Sequence, residues 1–275
     1  MKTKNKIFIS KIIYLFLKFI GFKEKKIVKR KNILWNLDLS EAIELSIFLF
    51  GDFEKSIIST SKSINFQEDG SIIDIGANMG SQTLHFAKEF CKSKIFAVEP
   101  SKYSFQKLKG NVSLNKQLSE RIDLTQGFIT NKNLKPNEIF SSWKLNSNTE
   151  GHYYHKGIKT KTEDAKIFSL DNFIIEKKIN NISLIKLDVD GFELDVLESG
   201  KNFLSKHNPV IIMELAPYLY RENGYTEKNL VELIINYNFS FFYEKTLKKI
   251  DDINDFISKI KVGSSKNIVL QKLNY

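Results

Sequence analysis

The residues most suited to chemistry begin with Asp74-Ile75-Gly76-Ala77-Asn78-Met79-Gly80, a carboxylate ahead of two glycines in G-x-x-x-G spacing. Glycines so placed let backbone approach a ligand with no Cβ in the way, and a helix starting behind them offers unpaired N–H groups and a positive dipole end. Glu99 lies 25 positions after Asp74, at the end of another apolar run. A carboxylate there can accept hydrogen bonds from both hydroxyls of a ribose. The pair points to a nucleoside ligand. The glycine spacing is not the G-x-G-x-x-G of dinucleotide enzymes, and no Gly-Lys-Ser/Thr follows as in a P-loop. That favours an adenosyl group without a pyrophosphate.

Such residues act together only if a scaffold gathers the ends of several strands. Short apolar runs predict strands over 72–75, 95–98, 122–129, 183–187, 209–215, 239–243 and 267–270, and helical stretches over 81–90, 103–114, 193–204 and 226–237 separate them. A capping-box spacing at Asp38 and Glu41 opens a further helix over 42–50, closed by Gly51. The alternation predicts an α/β fold with a seven-stranded, mostly parallel sheet covered by helices on both faces. Ligands in such sheets sit at the carboxyl ends of the strands. The longest polar stretch, 131–164, contains Trp143, His152, Tyr153, Tyr154 and His155. A connection of that length is functional or carries a small hairpin of its own, and its histidines could line an acceptor pocket.

The glycine loop and Glu99 resemble motif I and the acidic strand end of class I S-adenosylmethionine-dependent methyltransferases, and the likeness continues. Ser169-Leu170-Asp171-Asn172-Phe173, then Ile185-Lys186-Leu187-Asp188-Val189-Asp190-Gly191-Phe192-Glu193 leading to Val196-Leu197-Glu198-Ser199-Gly200, is similar to the hallmark region of the FkbM methyltransferase family. Asp190 stands where that family more often has glutamate. With Gly51-Asp52-Phe53-Glu54 ahead of the core, the match spans about residues 39–215. The resemblance implies a Rossmann-like fold and O-methyl transfer to a hydroxyl, commonly of a glycan or small natural product. It implies that Asp74, Gly76, Ala77, Asn78, Gly80 and Glu99 hold S-adenosylmethionine, with Pro100 and Ser101 shaping the turn beyond the ribose. Gln126, Gly127 and Phe128 are expected around the adenine. Asp74 has a second reading, as a carboxylate that only fixes the glycine loop.

At the fourth strand's end, Asp188 and Asp190 would face the donor and orient the acceptor hydroxyl or take its proton. Asp188 and Glu214 could also share a divalent cation, as in metal-dependent catechol methyltransferases, but no third ligand is assignable and this weighs against a metal. The competing reading of the whole chain is a non-catalytic adenosyl-binding module recruited to membranes.

Of 42 Lys+Arg residues, eleven lie in residues 1–35 beside a single acid, Glu24, so the remaining 240 residues carry 31 charges of each sign. The basicity belongs to the N-terminus. Only Arg30, Arg121 and Arg221 are arginines, too few for a groove that reads phosphates bidentately, so nucleic acid is not expected as a partner. We read 1–37 as a basic amphipathic extension and 38–275 as the methyltransferase domain. Lys4, Lys11 and Lys18 recur every seven residues and fall on one stripe of a helix, with Phe8, Ile9, Ile12, Phe16, Phe19 and Ile20 across from it. Lys23, Lys25, Lys26, Lys29, Arg30 and Lys31 follow. The pattern is that of a segment lying on an anionic membrane surface through residues 1–31, or of a helix packed on its own domain or a dimer partner. Its longest apolar run, six residues, is too short to span a bilayer. With Cys91 the sole cysteine, no intrachain disulfide can form. The expected location is cytoplasmic, peripheral at the inner face of the membrane.

Overall fold

The computed structural model describes residues 3–64, 67, 69–141, 143–146 and 157–273. Helix α1 (Thr3–Phe19) leads to a hairpin of β1 (Lys25–Arg30) and β2 (Ile33–Asp38), then α2 (Ala42–Phe50) and α3 (Lys55–Ser63). The alternating part follows: β3 (Ser71–Ile75), α4 (Ser81–Glu89), β4 (Ile95–Val98), α5 (Lys102–Ser113), α6 (Lys116–Ser119) and β5 (Ile122–Thr125). Short strands β6 (Gly127–Ile129), β7 (Glu138–Ser141), β8 (Ile158–Lys161) and β9 (Lys166–Phe168) precede α7 (Leu170–Glu176) and β10 (Ile182–Leu187). The chain continues through α8 (Glu193–Ser199), α9 (Lys201–Lys206), β11 (Val210–Leu215), α10 (Pro217–Tyr220), α11 (Glu227–Asn236), β12 (Phe239–Tyr243), α12 (Ile253–Ser258) and β13 (Lys266–Lys272).

Seven strands form one sheet in the order β12-β13-β11-β10-β3-β4-β5. The pairs β3–β4, β4–β5, β3–β10 and β10–β11 are parallel, and β13 lies antiparallel between β11 and β12. This is the mostly parallel sheet expected from the alternation, Rossmann-like as the family resemblance implies. Every residue of β4 and β10 is buried, as continuous strands covered on both faces must be. From β3 the chain winds one way to β4 and β5 and the other way through β10 to β11. The carboxyl ends of β3, β4 and β10 therefore meet at a topological switch point, where a crevice opens.

Helices α3, α7 and α12 lie where no element was expected, and three further differences bear on the body that holds the site. The strand expected over 122–129 divides at Gln126. Its first half closes the edge of the main sheet, and its second pairs in parallel with β9 because Lys166 N–H donates to the Gln126 carbonyl at 3.1 Å. The helix expected over 193–204 divides at Gly200, which packs so closely on α7 that a Cβ there would sit 2.7 Å from Leu170. The third is the β1–β2 hairpin, reversed by Lys31 and Asn32 with φ of 46° and 60°. Two successive positive φ values make a type I′ turn, whose twist suits a two-residue hairpin. Strand β2 buries Ile33, Trp35 and Leu37 in one cluster with Ala77, Leu84 and Leu108, so part of the 1–37 segment is built into the same body as the sheet. Within the polar stretch 131–164, β7 and β8 form an antiparallel pair. His152, Tyr153, Tyr154 and His155 lie outside the described residues.

Candidate active site

The crevice is a cavity of about 340 Å³ walled by the ends of β3, β4 and β10, the start of α4, strands β6 and β7, and the loop carrying Phe53 and Glu54. That size suits a small organic ligand. Gly76, Ala77, Asn78, Glu99, Pro100, Asp188 and Asp190 all line it; Asp74, Gly80 and Ser101 do not.

Gly76 follows β3 at φ 81°, and its N–H and that of Ala77 both donate to the Val98 carbonyl at 3.0 Å, pinning the loop to β4. A Cβ on Gly76 would lie 1.8 Å from the Asp188 carbonyl oxygen, so only glycine lets the ends of β3 and β10 come together. Gly80, also left-handed, opens α4 against Leu108. The fully buried Asp74 faces neither the cavity nor the backbone of the glycine loop. It accepts from the Thr83 hydroxyl at 2.6 Å and lies 3.5 Å from the Lys186 ammonium.

Glu99 is where the loop and β4 are tied together. One carboxylate oxygen accepts from Asn78 N–H at 2.9 Å, the other from Ser101 N–H at 2.8 Å. Burial pushes its pKa up from 4.5 to about 7, against the pull of those two bonds. Each oxygen keeps a lone pair for a further donor. Ser101 caps α5 by accepting from Ser104 N–H. Next to Glu99, Gly127 N–H donates to its carbonyl at 3.3 Å, and Phe128 packs edge-on against Phe192 with ring centroids 5.2 Å apart. Gln126 turns away to donate to the Glu163 carbonyl.

The acidic end is a strained turn. Asp190 and Gly191 both have positive φ, 48° and 95°, an uncommon state for an aspartate that must be held in place. The holding group is Glu193, whose carboxylate accepts from Val189 and Gly191 N–H at 3.3 and 3.4 Å while Asn223 and the Tyr225 hydroxyl donate to the Gly191 carbonyl. Asp188, Asp190 and Glu214 bring one oxygen each within 4.8 Å of one another, so the geometry supplies the third cation ligand that was not assignable from sequence. Glu214 also accepts from the Ser265 hydroxyl. Asp190 is exposed at the cavity mouth, and its carboxyl is raised above its usual range by partial desolvation there and then by the Asp188 and Glu193 carboxylates.

Four wall residues were given no role from the sequence: Lys186 and Glu54, inside the motifs, and Ser81 and Gln82, outside them. Lys186, fully enclosed in β10, lies 3.3 Å from the Asp188 carboxylate, 3.5 Å from Asp74 and donates to the Gly76 carbonyl at 2.9 Å. Its pKa stays high because those carboxylates outweigh a desolvation that would lower it. A lysine inside the otherwise apolar Ile182-Ser183-Leu184-Ile185-Lys186-Leu187 was the available signal, since buried lysines require partners. Gln82 donates to the Phe53 carbonyl at 2.7 Å and so fixes the loop that sends Glu54 into the cavity. The Ser81 hydroxyl and the Gln82 side-chain carbonyl, both in the cavity wall, are buried without a hydrogen-bond partner among the described residues. Buried polar atoms are seldom left so, and two of them beside the α4 N-terminus mark a place for a ligand's polar end.

The likeness to known proteins defines the class: a methyltransferase that depends on S-adenosylmethionine. Residues 74–259, more than half of the chain, match the family model described as Methyltransferase FkbM domain, and the chain belongs to that family. Among relatives, it is 24% identical over 193 residues to Methyltransferase sdnD of Sordaria araneosa, covering 58% of this chain and 74% of that one. It is 26% identical over 149 residues to Hexuronic acid methyltransferase AglP of Haloferax volcanii, covering 53% and 56%. Among solved structures, M. capricolum TrmK in complex with S-adenosyl-homocysteine is 16% identical with a TM-score of 0.44, covering 81% of this chain and 70% of that one.

Proposed function

We propose that this protein transfers a methyl group from S-adenosylmethionine to a hydroxyl oxygen of a glycan, in surface-polysaccharide or related assembly beside the cytoplasmic face of a membrane. The observation that carries the reading is the junction in one cavity of the Gly76–Glu99 loop and the acidic turn at Asp188 and Asp190. S-adenosylmethionine, when bound, supplies an electrophilic methyl group on a sulfonium. The orphaned Ser81 hydroxyl and α4 N-terminus suit its carboxylate, the Gln82 carbonyl its ammonium, Glu99 its ribose, and Pro100, Gly127 and Phe128 its adenine.

Asp188 and Asp190 then orient the acceptor hydroxyl. Asp190 takes the hydroxyl proton as the oxygen gains the methyl group, and a carboxyl held above its usual range is the better proton acceptor. Lys186 holds Asp188 and the Gly76 carbonyl in register, so the donor loop and the acidic turn keep a fixed spacing. Glu54, Asp188, Asp190 and Glu222 give the acceptor end several carboxylates. These accept hydrogen bonds from a polyhydroxylated molecule. The glycan class is also supported by the relative described as a hexuronic acid methyltransferase.

The test is transfer of tritiated methyl to glycans extracted from the native host, with the product located by mass spectrometry. Label on a sugar oxygen is the expected result. Donor binding without transfer to any hydroxyl acceptor would favour the non-catalytic adenosyl-binding module instead.

A further inference from the structure

Helix α1 meets the rest of the protein through one side. Tyr14 is buried and donates to Glu24, and Ile13 and Leu17 pack on the cluster containing Trp35 and Leu45. A different side is left bare. Phe8, Ile12, Leu15, Phe16, Phe19 and Ile20 are 49–88% exposed, and at about 100° per residue they occupy one continuous arc of roughly 140°. The apolar residues are therefore not the helix's own packing face, and packing on its own domain does not explain them.

The bare face continues beyond the helix. Phe22 meets Phe48 of α2 edge-on at 5.9 Å, and α2 ends beside it with Leu49 and the 69% exposed Phe50. Lysines flank the arc: Lys11 and Lys18 lie along one edge of it. Soluble proteins rarely expose so large a contiguous apolar patch without a partner. No helix among the described residues is long and apolar enough to cross a membrane.

We propose that this face docks in the plane of an anionic bilayer. The apolar arc of α1, with Phe22, Leu49 and Phe50, enters the acyl boundary, and the basic residues of 1–35 meet the headgroups. The partner follows from charge complementarity: residues 1–35 carry eleven Lys+Arg against one acid, a composition that attracts anionic lipid and repels a second copy of itself. Because α2 also sends Ile43 into the cavity, docking would hold the reaction site within about one short helix, roughly 13 Å, of the surface.

The experiment is co-sedimentation of the full chain with phosphatidylglycerol–phosphatidylcholine vesicles and with pure phosphatidylcholine vesicles, for wild type and for Phe16→Gln/Phe19→Gln. Both substitutions are at exposed positions, and unchanged S-adenosylhomocysteine affinity will verify the fold independently of any acceptor. Wild type should bind the anionic vesicles and little else, high salt should release much of it, and the double variant should bind at least about tenfold more weakly. Equal binding by both chains, or none by either, would overturn the proposal. So would light scattering that shows a dimer dissolved by the double variant, since the face would then be occupied by a second copy.

Discussion

Glu99 answers two demands that pull its proton in opposite directions. Burial favours the neutral acid, whereas the ribose hydroxyls assigned to it need an ionised acceptor. With a folded pKa of about 7 against an ordinary 4.5, the carboxyl contributes stability that is full below about pH 4.5 and is lost as pH rises to about 7. Donor binding runs the other way: it favours the ionised form, so affinity should rise with pH up to about 7 and then level. Calorimetry with S-adenosylhomocysteine should show about tenfold weaker binding at pH 6 than at pH 8, and Glu99→Gln should flatten the profile. A flat wild-type profile would remove Glu99 from the ribose. At the other end of the cavity, Asp188→Asn and Asp190→Asn should each lower turnover by about 10²-fold to 10⁴-fold with donor affinity little changed. If the three-carboxylate cluster instead works through a cation, EDTA abolishes wild-type turnover, Mg²⁺ restores it, and Glu214→Gln is as damaging as Asp188→Asn. Direct proton transfer to Asp190 requires turnover to survive the chelator.

The crevice exists because two strand ends close on one another at Gly76. In Gly76→Ala the new Cβ meets the Asp188 carbonyl at 1.8 Å in a left-handed backbone, so both the thermal midpoint and S-adenosylhomocysteine binding should fall. Gly110→Ala on α5, where nothing lies within 4 Å, should leave binding unchanged and gain up to about 1 kcal/mol. Retained binding in the first variant would contradict the close approach. Lys186→Met leaves Asp74 buried without its cation and should cost about 3–5 kcal/mol in urea unfolding. The main strands were legible because parallel strands covered on both faces read as unbroken apolar runs, and the glycine loop because close backbone approach demands glycine at fixed places. What escaped reading has physical reasons. The β1–β2 turn is Lys31-Asn32 rather than Asn-Gly, and the alternation in β2 was hidden behind a run of lysines read as surface charge. Gln126 and Gly200 break their elements through contacts with residues 40 and 30 positions away, beyond any local pattern. The Ser81 hydroxyl and the Gln82 side-chain carbonyl gain meaning only from having no hydrogen-bond partner among the described residues.

As a whole the molecule separates its charges by task. The sheet and its helices are electrically balanced, while the excess positive charge lies in residues 1–35 and the acceptor end of the cavity is lined by carboxylates. This arrangement lets one end of the chain seek an anionic surface without drawing anions into the reaction site. Both ends depend on the same central assignment, that the switch-point crevice is the donor site. The measurement that tests it most directly is calorimetry of S-adenosylhomocysteine with the wild type and Glu99→Ala, both confirmed as folded by circular dichroism. A hydrogen bond to a charged group contributes about 1.5–3 kcal/mol, so the expected result is a stoichiometric wild-type complex weakened by roughly 10-fold to 150-fold in the variant. Equal affinity in the two proteins, or no binding by the wild type, would contradict it.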